Sequence, residues 1–75
     1  MLDVKMRTLL AAAEYKSFTR AAEELALTQP AVSHHIRQLE EELGVRLFVR
    51  GRDQLRLTRE GEIAVRYAKR LQALW

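Results

Sequence analysis

Cysteine is absent from this sequence, so disulfides and any thiolate zinc site are excluded, which is compatible with the reducing, cytoplasmic setting expected. Long apolar runs are missing as well. The apolar residues, 48% of the chain, are broken into amphipathic pieces too short to cross a membrane. Charges interrupt the N-terminal apolar residues, so no signal peptide is expected. Proline occurs once and glycine three times, and there is no internal repeat, low-complexity tract or flexible linker. Catalytic signatures are lacking: there is no nucleophile with a paired base and no cluster of converging carboxylates, so neither an enzyme nor a cofactor is expected. His34 and His35 are adjacent, diverge by about 100° on a helix and cannot chelate one metal as an i, i+4 pair can. His35 is expected to border the core. What remains is one small domain of 75 residues, near the lower size at which a single core holds a fold without staples.

The net charge of +3 is modest, and its placement says more than its sum. Between Leu43 and Arg59 stand five arginines, Arg46, Arg50, Arg52, Arg56 and Arg59, against Asp53 alone. More than the whole net charge therefore sits in that stretch.

The chain is organised around one helix, from Thr28 to Leu43. Thr28 is placed to cap its first turn, Pro30 lies where no intrahelical partner is needed for its missing N–H, and Gly44 supplies the stop. Val32, Ile36, Leu39 and Leu43 fall on one stripe, which predicts the core face. The opposite face is polarised along its length: Gln29, Ser33, His34 and Arg37 fill its first half, and Glu40, Glu41 and Glu42 its second. A polyanion can approach only the first half, as suits a recognition helix whose N-terminal residues meet base edges. The competing reading is a solvated helix with an acidic end.

Taken in order, the chain begins with a helix from Val4 to Glu14, with Val4, Met6, Leu9, Leu10 and Ala13 at helical spacing. Ser17 stands where an N-cap belongs, and Phe18–Leu25 follows as a short helix with Phe18, Ala21, Ala22 and Leu25 inward. The two alanines let the next helix cross closely, Ala26-Leu27 is the turn, and Leu27 plugs the space between the helices. After Gly44 the period changes. Val45–Arg50 and Leu55–Leu57 read as strands around a Gly51-Arg52-Asp53-Gln54 turn. Thr58 then caps a last helix, with Glu60 and Glu62 near its positive end and Gly61 weakening its first turn. On that helix Ile63, Tyr67, Leu71 and Leu74 or Trp75 form an apolar stripe, for pairing with a second copy or for packing on its own domain. It has no C-cap, as if cut.

The expected fold class is therefore mainly α: a winged helix-turn-helix, with a three-helix core and a two-stranded wing, followed by a long linker or dimerisation helix. Residues 1–58 form the winged unit, with the helix-turn-helix at about 18–37 and the wing at about 46–57, and residues 59–75 form the last helix.

Individual residues add a family resemblance. Ser17-Phe18-Thr19-Arg20-Ala21-Ala22-Glu23-Glu24-Leu25, Thr28-Gln29-Pro30-Ala31-Val32-Ser33, Ile36, Leu39-Glu40-Glu41-Glu42-Leu43-Gly44, Leu47-Phe48, Arg50 and Leu57-Thr58 with Gly61 resemble the N-terminal domain of LysR-type transcriptional regulators. The resemblance implies a bacterial DNA-binding domain acting as a homodimer or higher homo-oligomer on an interrupted, A·T-rich inverted repeat at a promoter or operator. Carried over, it places Gln29, Pro30, Ser33 and His34 against base edges. Thr19, Thr28 and Arg37 would hold phosphates or nearby bases, Arg50 and Arg52 would serve the wing, and Ile63, Tyr67, Leu71, Leu74 and Trp75 would serve dimerisation. The sequence departs from the family at His34, where arginine is frequent, and at Asp53 and Gln54, where the wing is often basic. An effector-binding domain is expected beyond this fragment, which itself carries no small-molecule effector site. The alternative function is a winged helix for protein–protein contact or dimerisation, since basic wings also bind acidic partners.

Overall fold

The computed structural model describes residues 3–74. Four helices and one hairpin follow in the order α1 (Val4–Tyr15), α2 (Phe18–Leu25), α3 (Gln29–Leu43), β1 (Phe48–Arg50), β2 (Leu55–Leu57) and α4 (Arg59–Ala73). Each helix starts at a side-chain oxygen that accepts an otherwise orphaned amide: Asp3 from Met6, Ser17 from Arg20, Thr28 from Ala31 and Thr58 from Gly61. Gly44, at φ +71°, turns the chain out of α3 while its N–H donates to the Glu40 carbonyl at 2.8 Å. The two strands are antiparallel, with Phe48 opposite Leu57 and Arg50 opposite Leu55. The Gly51 N–H donates to the Gln54 carbonyl at 2.8 Å and closes the expected turn.

α1 packs against α2, α3 and α4, and α2 crosses α3. Their common core is Leu9, Ala12, Ala21, Ala22, Val32, Ile36, Leu39, Leu47, Phe48 and Val65. Ala21 and Ala22 are buried at the crossing, and Leu27 packs against the core as the expected plug. α4 turns Gly61, Val65 and Ala68 inward. An added Cβ at Gly61 would collide with the Leu47 carbonyl oxygen and come within 2.9 Å of Leu57 Cδ2, so this glycine permits close docking of the helix.

Three expectations are corrected. The apolar stripes of α1 and α3 overrun the core at one end: Val4 is 39% and Leu43 55% exposed, while Thr8 and Ala12 are buried in α1. A core this small tapers before its helices end. The first strand is shorter than Val45–Arg50, because the Val45 amide is drawn to the Glu40 carbonyl and the Arg46 carbonyl to the Thr58 hydroxyl. The three glutamates do not share one exposed face. Glu42 pairs with Lys5 of α1 at 2.9 Å, and Glu40, at 17% side-chain exposure, turns toward the root of the wing.

Candidate nucleic-acid interface

The exposed start of α3 and the hairpin lie side by side, with two shallow grooves between them. Thr19, Gln29, Arg50 and Arg52 line the first; Ser33, Arg37 and Arg50 line the second. Six of the nine residues expected to contact DNA are thus placed along one concave surface, with Arg50 shared by both grooves. Thr28, Pro30 and His34 border neither groove; Thr28 is exposed at the cap of α3, and Pro30 and His34 are exposed on the helix itself.

Local chemistry orders this surface. Pro30 occupies the first turn of α3, where its lack of an N–H leaves no bond unmade. The Gln29 side-chain amide donates to Ser33 Oγ at 2.8 Å, which holds two polar groups one turn apart in a fixed relation. Ser33 keeps its hydroxyl proton, and Gln29 keeps its carbonyl oxygen and a second N–H. The Thr28 oxygen accepts the Ala31 amide at 3.2 Å, so the hydroxyl retains a proton for an outside acceptor. His34 is exposed, whereas the His35 ring turns inward, with Nδ1 3.0 Å from the buried Thr8 hydroxyl. His35 thus borders the core, as expected.

The wing is seated by the rings of Phe18 and Phe48, edge to face at 83° with centroids 5.4 Å apart. This contact ties the root of the hairpin to the start of α2, and hence Arg50 and Arg52 to the helix-turn-helix. Two cationic residues without an expected role also border the grooves: Lys16 the first, and Arg46 the second. Lys16 ends α1 in the left-handed conformation, at φ 52°. Its position at the corner between two helices was the available signal, but chain order alone does not tell which way such a corner faces. Asp53 and Gln54 line the first groove as well, so its positive charge is diluted at the tip.

A second surface lies on the outside of α4. Ile63, Tyr67, Leu71 and Leu74 are 41%, 58%, 42% and 79% exposed, so the stripe does not pack on its own domain. The Arg70 guanidinium stands 5.6 Å from the centre of the Tyr67 ring. Trp75, expected on the same stripe, lies outside the described residues. Titration is perturbed away from both surfaces. In the groove between α1, α2 and α4, partial burial first and the Glu24 carboxylate next raise the Tyr15 phenol above its ordinary value. Among the described residues no group of three or more histidine or carboxylate side chains is placed to hold a metal ion, and no helix is long and apolar enough to cross a membrane.

Comparison with known proteins gives the same architecture. A DNA-binding domain crystallised as the BenM_DBD/catB site 1 DNA complex is 40% identical, with a TM-score of 0.90 over 97% of this chain and 82% of that one. A LysR-family transcriptional regulator from Eggerthella lenta is 43% identical, with a TM-score of 0.85 over 92% of this chain and 99% of that one. Among curated proteins, the uncharacterized HTH-type transcriptional regulator YxjO of Bacillus subtilis is 51% identical over 93% of this chain and 24% of its own length. The HTH-type transcriptional regulator HdfR of Escherichia coli is 50% identical over 93% of this chain and 25% of its own length. The chain spans about a quarter of these two relatives. Residues 4–62 match the family described as "Bacterial regulatory helix-turn-helix protein, lysR family". With the winged helix-turn-helix already built from its own residues, the chain belongs to the lysR family of bacterial regulatory helix-turn-helix proteins.

Proposed function

We propose that this chain binds duplex DNA sequence-specifically as the DNA-binding domain of a cytoplasmic bacterial transcriptional regulator. The observation that carries this reading is the concave surface on which the polar start of α3 meets Arg50 and Arg52 of the wing. An α-helix fits the major groove, where Gln29, Ser33 and His34 would meet base edges together with Pro30, while Thr19, Thr28 and Arg37 would hold phosphates or nearby bases. Arg50 and Arg52 would follow the backbone into the neighbouring minor groove, whose negative potential is greatest where A·T-rich sequence narrows it. The relatives' descriptions as transcriptional regulators support the reading and give no support to catalysis.

One copy presents one recognition helix. Two copies joined through Ile63, Tyr67, Leu71, Leu74 and Trp75 would present two, suited to an interrupted inverted repeat with half-sites about 34 Å or a multiple apart. Residues 1–58 then hold the DNA contacts and 59–75 the pairing face. This is a division of labour rather than of folding, because Val65 and Ala68 of α4 are buried against the rest.

The test is retention of duplex fragments across a salt series. The logarithm of affinity is expected to fall linearly with the logarithm of salt concentration, by a slope of about 0.9 for each phosphate neutralised. A flat response, or no retention of any duplex at low salt, would overturn the reading.

A further inference from the structure

The wing is joined to the recognition helix by more than apolar packing. Glu40 stands in the second half of α3, and its Oε2 accepts from the Leu47 amide at 2.7 Å and, more weakly, from the Phe48 amide at 3.4 Å. The Arg46 Nε approaches the same oxygen at 3.7 Å. These are the amides at which the chain leaves the loop after α3 and enters β1. A carboxylate that accepts backbone amides makes a charge-assisted bond, shorter and stronger than one between neutral groups. One oxygen therefore links the helix that carries Ser33 and Arg37 to the hairpin that carries Arg50 and Arg52.

The other side of the same root is held separately. The Thr58 hydroxyl donates to the Arg46 carbonyl at 2.6 Å, and the Thr58 amide donates to the Leu47 carbonyl at 2.9 Å. Losing Glu40 would leave the hairpin paired, attached to the start of α4 and packed on Phe18 through Phe48, but without its bonded link to α3. Glu40 also lines the groove between α3 and the wing, among Arg37, Arg46 and Arg50, where a bare carboxylate would repel a phosphate. Its bonds to the root amides turn the interacting oxygen away from that task.

Resting on the duplex-binding reading, we propose that Glu40 is a positioning residue for the wing. It touches no DNA, and it sets the height at which Arg50 and Arg52 meet the minor groove beside the site contacted by α3. The test compares wild type, Glu40→Ala and Glu40→Gln on a duplex that wild type selects from a random pool. Protection is mapped at the centre and at the flanks of each half-site at matched occupancy. Glu40→Ala is expected to keep the centre, lose the flanks and show a salt slope shallower by about 0.9 for each phosphate contact released. Glu40→Gln, whose amide oxygen still accepts from Leu47, is expected to retain the flanks. Unchanged flank protection in Glu40→Ala overturns the proposal, as does joint loss of centre and flanks in a variant that unfolds at the wild-type temperature. Should Glu40→Ala not fold, hydrogen exchange of the Leu47 amide decides: slow exchange in both wild type and Glu40→Gln supports the proposal, and exchange as fast as at the wing tip overturns it. That measurement needs no DNA, so a wild-type protein that retains no duplex refutes the DNA reading and leaves the hold of Glu40 on the wing to be judged separately.

Discussion

The Thr8 hydroxyl lies 3.0 Å from Nδ1 of His35 and joins the first helix to the middle of the third. The same hydroxyl donates to the Val4 carbonyl at 2.8 Å. Thr8 is fully buried and is satisfied by these two partners.

Two adjacent histidines should therefore respond differently to the same substitution. His35→Ala removes a partner of a buried hydroxyl and is expected to cost about 1–2 kcal/mol of stability. His34→Ala, on the exposed face, is expected to stay within about 0.5 kcal/mol of wild type. Urea unfolding of the two variants measures this, and equal losses would count against the inward placement of His35.

Gly61 gives a reversal of sign. By helix propensity alone, Gly61→Ala should stabilise α4 by about 1 kcal/mol. The added methyl would instead meet the Leu47 carbonyl and Leu57 Cδ2, and the net result is expected to be a loss of about 1–3 kcal/mol. Denaturant midpoints decide it, and a stabilised variant would mean that α4 docks less closely than described.

What was legible in the sequence was local. Ser17, Thr28, Thr58 and Gly44 mark helix ends because each acts on amides or carbonyls within four residues of itself. The close approach at Gly61 and the inward turn of Glu40 are not legible for one shared reason: both answer to the backbone of Leu47, which carries no side-chain signature in the sequence. Leu43 was misread because periodicity reports which way a residue faces along a helix, but not whether a neighbour extends far enough to cover it. For the candidate site, the helix and the wing were each readable, whereas the approach of Lys16 to the wing grooves depends on how the turn between α1 and α2 is packed.

The two faces of α4 should separate assembly from folding. Leu71, 42% exposed on the outer stripe, can accept a charge in the monomer, so Leu71→Asp is expected to abolish pairing and leave the unfolding midpoint of the monomer nearly unchanged. Ala68 is fully buried, and Ala68→Asp is expected to prevent folding. Sedimentation at high concentration, read beside circular dichroism, checks both. A wild-type protein that remains monomeric, or a Leu71→Asp protein that remains paired, would exclude this stripe as the pairing face.

Reading and gripping should also come apart on DNA. His34 is exposed on α3, in the helix proposed to enter the major groove, whereas Arg52 stands in the turn of the hairpin, beside the start of α2. His34→Arg supplies a forked donor able to pair with guanine O6 and N7, and is expected to shift preference at one base pair per half-site by about 1–3 kcal/mol. Arg52→Ala removes a backbone or minor-groove contact. It is expected to lower affinity for most sequences together and to make the salt slope shallower by about 0.9, with at most a mild change at A·T-rich flanks. Selecting sites from a random duplex pool with each variant at two salt concentrations measures both effects. If His34→Arg weakens all sites equally while Arg52→Ala changes the preference for a central base, the helix is not the reader and the wing is not the grip, and the proposed orientation on DNA is wrong.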